Sequence, residues 1–207
     1  RAPAKTQAAL LEAMQERQVT LEGSARPLPR PFFVLATQNP VEHEGTYPLP
    51  EAQLDRFLFK VILGYPSLDD ELRVLAQHRG DSAGLTRLLS EVSPVADAAA
   101  LTAAREQVHA VRVEAAVARY LVELVRRTRE DPLLSLGGSP RASLLLQVAA
   151  RVQAALEGRD YVLPDDIKAL FVPCLRHRVR VTAAAEVDGL AADEVLGRVL
   201  SAVPVPR

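Results

Sequence analysis

Tryptophan is absent from the 207 residues, and phenylalanine and tyrosine bring the aromatic share to only 4%. Sheet-dominated domains draw on aromatic and β-branched side chains, so this scarcity, beside plentiful Ala, Leu, Val and Arg, favours helices. The single cysteine, Cys174, excludes a disulfide framework and any all-cysteine metal site, and it points to a reducing, cytoplasmic setting. No apolar run approaches the ~20 residues of a membrane-spanning helix, and the beginning of the chain lacks a signal peptide's apolar stretch. Charge of one sign is also missing: 25 basic residues face 26 acidic ones, for a net charge of -1. That balance argues against a bulk electrostatic grip on nucleic acid or an anionic membrane. An initiator Met is lacking too; Arg1 leads through Ala2-Pro3-Ala4 straight into a helical pattern, so the chain reads as a fragment.

What is present divides near Pro66, with an α/β part over residues 1–66 and a helical part over 67–207. Pro3 suits a first helical turn, and Ala4 to Arg17 has no further Gly or Pro, with Ala4, Ala8, Leu11 and Met14 on one face. Val19-Thr20-Leu21, a turn at Gly23-Ser24 and a return through Ala25 to Pro29 predict a small hairpin, at an edge or protruding because of Pro27 and Pro29. Phe32 to Leu35 and Phe57 to Leu63 are apolar runs that read as strands buried on both faces. Beyond Pro66, Ser67 with Asp70 resembles a capping box, and Leu68, Leu72 and Leu75 form a stripe. Later helices are marked by Val117, Tyr120, Leu121 and Leu124, by Leu144, Val148, Val152 and Leu156, by Ile167, Leu170, Phe171 and Cys174, and by about Ala191 to Ala202. Cys174 reads as a small core residue, since no base is evident near it.

Three residues stand out from this pattern. Asn39 follows the run at Phe32–Leu35 and is held extended by Pro40. In open α/β sheets ligands bind just beyond the carboxyl ends of strands, although a polar residue there can simply start a turn. Arg141 lies in the first turn of the helix opened by Ser139 as N-cap and Pro140, where the dipole disfavours a cation. Either a bound anion or a carboxylate within the protein accounts for it. Arg56 follows a short helix at Pro50–Asp55 and, alone, is an ordinary helix-end charge. Together, a strand-end amide and two arginines suit a phosphate-bearing ligand. Glu42-His43-Glu44 has too few ligands at fixed spacing to argue a metal site.

Ala36-Thr37-Gln38-Asn39-Pro40, Glu42 to Phe57, Gly138-Ser139-Pro140-Arg141 and the opening helix, in this order, closely resemble the MoxR family of AAA+ ATPases. The resemblance implies a partial P-loop NTPase core followed by a helical lid. It implies that Asn39 helps position the attacking water, that Arg56 is the arginine finger offered to a neighbour's ATP, and that Arg141 is the lid arginine reaching phosphates in its own subunit. It further implies a ring, expected to be a hexamer, with the hairpin facing the pore and a von Willebrand factor A domain protein as partner. No Gly-x-x-x-x-Gly-Lys-Ser/Thr exists in this sequence, and the acidic pair expected to hold Mg2+ belongs before the segment matching Arg1. This chain alone is therefore expected neither to bind ATP tightly nor to hydrolyse it. Two rival readings accompany this one. The first is a non-enzymatic helical or DNA-binding module whose contact surface is Arg126, Arg127, Arg129 and Arg176-His177-Arg178. The second is another AAA+ branch, such as a magnesium-chelatase subunit.

Overall fold

The computed structural model describes residues 4–38, 50–77, 90 and 92–206. Helix α1 (Ala4–Glu16) leads into an antiparallel hairpin of β1 (Gln18–Leu21) and β2 (Ser24–Pro27), with Val19 opposite Arg26 and Leu21 opposite Ser24. The turn is Glu22-Gly23, one residue earlier than the sequence suggests, and both residues have positive φ, 51° and 81°. Two-residue turns of that kind match the right-handed twist of the flanking strands. Thr20 donates to the Glu12 carboxylate at 2.5 Å, which fastens the hairpin to α1. No third strand joins it among the described residues.

The two apolar runs expected as buried strands do not form strands among the described residues. Phe33 is 78% exposed and Leu63 is 89% exposed. The composition marks them for a sheet interior, but a strand exists only where a neighbour accepts its ladder, and no described strand runs beside either one.

Helix α2 (Glu51–Leu54) precedes the second run, and α3 (Leu68–Gln77) follows it. The Ser67–Asp70 cap forms as expected, with the Asp70 N–H donating to Ser67 Oγ at 3.2 Å. The Leu68, Leu72 and Leu75 stripe is exposed. Further on come α4 (Ala98–Ala110), α5 (Ala115–Glu130), β3 (Leu134–Leu136), α6 (Pro140–Leu156), α7 (Pro164–Leu175), β4 (Arg180–Val181), α8 (Ala183–Val187) and α9 (Ala192–Ala202). The core lies where α5, α6, α7 and α9 meet, around Tyr120, Leu124, Leu146, Phe171 and Leu196. No described helix is long and apolar enough to cross a membrane.

One expected face is reversed. Helix α6 buries Ala142, Leu146, Ala149, Ala150 and Ala154, while Leu144 is 66% and Leu156 79% exposed. Helix α6 packs against both α5 and α7, and small side chains let helix axes approach closely. Side-chain size, which drew attention to the larger stripe, therefore points to the wrong face. The entrance to α7 compensates for its missing N-cap hydroxyl by another route. The Asp166 carboxylate accepts from the Leu163 N–H at 2.8 Å and from Arg159 at 2.6 and 2.9 Å. Burial pushes the Asp166 pKa up, and these bonds outweigh it, so the carboxyl lies below its usual range.

The start of α6 is fixed by a close approach. A Cβ added to Gly137 would lie 2.6 Å from the Arg129 backbone and 2.6 Å from the Thr128 carbonyl oxygen. Buried Thr128 accepts the Gly138 N–H at 2.8 Å, and Arg129 Nε donates to the Gly138 carbonyl at 2.6 Å. Gly137→Ala must displace backbone, so a loss of about 1–3 kcal/mol is expected, read from the urea midpoint against wild type. An unchanged midpoint would contradict the packing described.

Candidate functional site

Helix α2 is a single turn with Asp55 as its C-cap, and the Arg56 and Phe57 N–H groups close onto the Gln53 and Leu54 carbonyls at 3.2 and 3.1 Å. This turn and the residues that follow it are seated against the helical part by four residues after α7, Arg176, His177, Arg178 and Arg180. Arg178, with a side chain only 1% exposed, donates through Nε to Asp55 Oδ1 at 3.0 Å and through Nη2 to the Asp55 carbonyl at 2.9 Å. It also donates to the carbonyls of Phe57, Leu58 (3.1 Å) and Cys174. Arg176 bonds Asp193 at 2.8 Å and the Lys60 carbonyl at 3.3 Å, and Arg180 pairs with Glu51. His177 Nε2 donates to the Phe57 carbonyl at 2.9 Å, which leaves Nδ1 buried without a partner. Arg176, His177 and Arg178 are thus engaged within the protein, which corrects the reading of them as an external contact surface for DNA.

Asp55 collects charge from several directions. Its carboxylate accepts the Ser139 hydroxyl at 3.1 and 3.2 Å and lies 3.8 Å from Arg141 Nε. Ser139 occupies the N-cap position of α6, but its hydroxyl makes no cap bond and turns to Asp55 instead. For Arg141, the internal carboxylate is the alternative the structure displays, yet the contact is long and its side chain is 47% exposed. A bond of that length at a wet surface contributes at most ~1 kcal/mol, so Arg141 is free to exchange Asp55 for another anion. Arg56 is the reverse case: its Nε and Nη1 are buried without a hydrogen-bond partner among the described residues. Arg141 approaches the carboxylate of Asp55, the residue that directly precedes Arg56 in the chain, while Asn39 and Glu42-His43-Glu44 lie outside the described residues.

Asp55, Ser139 and Arg178 are the residues the sequence reading left without these roles. Asp55 was visible in Leu54-Asp55-Arg56-Phe57, but no helical or strand period marks an arginine after a helix end as buried. Cys174 is fully buried, and burial pushes its thiol up to about 11, which leaves it a core residue.

Burial also pulls the His177 imidazole from 6.5 down to about 4. The unfolded chain therefore binds a proton that the folded one refuses between those values. Stability is expected to fall as pH drops from about 6.5 toward 4, by on the order of 3 kcal/mol from this residue. A His177→Gln variant should lose that slope in unfolding free energy against pH; an identical slope would show that His177 is not its source.

Unpaired buried nitrogens on Arg56 and a half-exposed, loosely held Arg141 are each of the kind that suits an anionic, phosphate-bearing ligand. Among the described residues no group of three or more His, Cys, Asp or Glu suits a metal ion. Known proteins agree with this architecture. The model of the ATPase family associated with various cellular activities (AAA) matches residues 1–59, and that of the AAA lid domain matches residues 126–199. The module is that of an AAA+ ATPase, a partial α/β core followed by a helical lid. Bacillus subtilis (strain 168) YeaC, an uncharacterised protein, is 46% identical over 98% of this chain and 62% of its own length. Chaperone MoxR1 of Mycobacterium tuberculosis is 43% identical over 100% of this chain and 55% of its own length. The crystal structure of a proposed ATPase from Cytophaga hutchinsonii superposes with a TM-score of 0.89 at 37% identity, covering 100% of this chain and 64% of that one. The chain belongs to the MoxR family of AAA+ ATPases, and it spans less than two-thirds of the length of these relatives.

Proposed function

We propose that this chain carries the sensing and interface half of an ATPase that works across subunit boundaries in a ring. Arg56 is the finger presented to a neighbour's ATP, Arg141 the lid arginine for ATP in its own subunit, and Asn39 the residue that orients the attacking water. The observation that carries this reading is Arg56. Its buried Nε and Nη1 have no partner among the described residues, and unpaired buried donors persist chiefly where function requires them. Arginines placed where charge builds on a transferring phosphoryl group stabilise that charge without reorganising. ATP supplies the transferred phosphoryl, while Mg2+ and the phosphate-cradling loop belong to the intact protein rather than to residues described here. This chain by itself is inactive.

The output is chaperone-like remodelling or activation of a partner, for which the family resemblance favours a von Willebrand factor A domain protein. The ring is a hexamer, located in the cytoplasm, with the Gln18–Pro27 hairpin toward its pore. The test is ATP turnover by the intact protein as its concentration is varied. The rate per subunit is expected to rise with concentration and reach a plateau as subunits meet. A rate per subunit independent of concentration down to the monomer would overturn the shared site, and absence of turnover would favour a non-enzymatic module.

A further inference from the structure

Among the described residues no hydrogen bond to Nε or Nη1 of Arg56, both buried, fixes the direction of its guanidinium. Its aim is inherited from the backbone between Asp55 and Phe57. That backbone is held by one residue 123 positions after Asp55. The planar guanidinium of Arg178 takes the carbonyls on both sides of Arg56, those of Asp55 and Phe57, together with the Asp55 carboxylate. A further bond goes to the Leu58 carbonyl, and one to the Cys174 carbonyl anchors it at the end of α7. His177 adds a second bond to the Phe57 carbonyl.

We infer that Arg178 is the positioning residue for Arg56: a lid arginine whose fork holds the carbonyls of the two residues on either side of the finger. This rests on the reading of Arg56 as a finger. The arrangement has a consequence for the lid. The same Asp55 carboxylate gripped by Arg178 accepts the Ser139 hydroxyl and faces Arg141. The start of α6 and the backbone of the finger therefore share one carboxylate, and the lid cannot shift as a body without carrying the Arg56 backbone with it. A lysine in place of Arg178 keeps the charge against Asp55 but cannot span both carbonyls and the carboxylate, because only a rigid planar fork does so.

The test uses the intact protein with Arg178→Lys, the milder His177→Leu, and Arg56→Ala as reference. Three quantities are measured: binding of a fluorescent ATP analogue, turnover alone, and turnover after mixing with an Asn39→Ala protein. Arg178→Lys is expected to bind the analogue within about twofold of wild type and to lose turnover by about tenfold or more, since misplacement of a reacting group by ~1 Å carries a cost of that order. Mixing with Asn39→Ala, which has a sound finger, should restore part of the rate. His177→Leu should show the same pattern at about threefold, and it serves if Arg178→Lys does not fold. Lost analogue binding in a folded variant, unchanged turnover in both variants, or rescue of Arg56→Ala without rescue of Arg178→Lys would each overturn the assignment. If Arg56→Ala itself is not rescued, the finger reading fails and this inference fails with it.

Discussion

Arg56→Ala in the intact protein is expected to lower ATP turnover by about a hundredfold or more. A finger acts on charge that develops in the transition state, so its loss falls on turnover and not on nucleotide affinity in the same subunit. Arg56→Lys should recover little, because a compact ammonium on a flexible stem does not reproduce the planar fork. Stability should move in the opposite sense from activity. Two buried nitrogens of Arg56 lack partners among the described residues, and an unsatisfied buried donor costs about 1–3 kcal/mol. Truncation removes that cost, so the melting temperature of Arg56→Ala should hold or rise while turnover collapses. A variant that loses activity and stability together would show Arg56 to be a structural residue.

Arg178→Met is expected to destabilise the protein by about 3–5 kcal/mol, the cost of breaking a buried ion pair from one side. The substitution fills a similar volume, so the loss comes from polar groups left behind. They are the Asp55 carboxylate, 23% exposed, and the carbonyls of Asp55, Phe57, Leu58 and Cys174. The Ser139 hydroxyl and distant Arg141 remain as partial partners for Asp55. Urea unfolding monitored by circular dichroism reads the change directly. A loss under about 1 kcal/mol would place this pair with exposed salt bridges and contradict its burial.

Much of the helical part was legible because burial there follows a 3.6-residue period. Val117, Tyr120, Leu121 and Leu124 on α5, and Ile167, Phe171 and Cys174 on α7, are buried as the pattern predicts. The hairpin was legible from its glycine turn, apart from a shift of one residue. Helix α6 was misread because its contact face is built from alanines, which an amphipathic pattern weighs less than leucine and valine. The two runs taken for strands were legible in composition but not in outcome, since pairing depends on a neighbour that no local pattern reports. At the site, Arg56 and Arg141 came from short motifs, and the structure places both beside Asp55. The joint that links them was not legible. Arg178 sits in a run of charged residues that looks solvated, and only the tertiary fold shows its side chain inside. A buried polar network has no sequence period, because each member is placed by a different element.

Arg56 is proposed to complete a site in another subunit. The most direct test mixes two inactive proteins, intact Arg56→Ala and intact Asn39→Ala, at varying ratios and a fixed total concentration, and records ATP turnover. If the two defects lie on different sides of a shared interface, as proposed, mixed rings contain interfaces with both a sound sensor and a sound finger. The rate is expected to rise above that of either protein alone, with a maximum near equal proportions. Turnover that never exceeds the weighted mean of the two, in rings shown to exchange subunits, would contradict the claim.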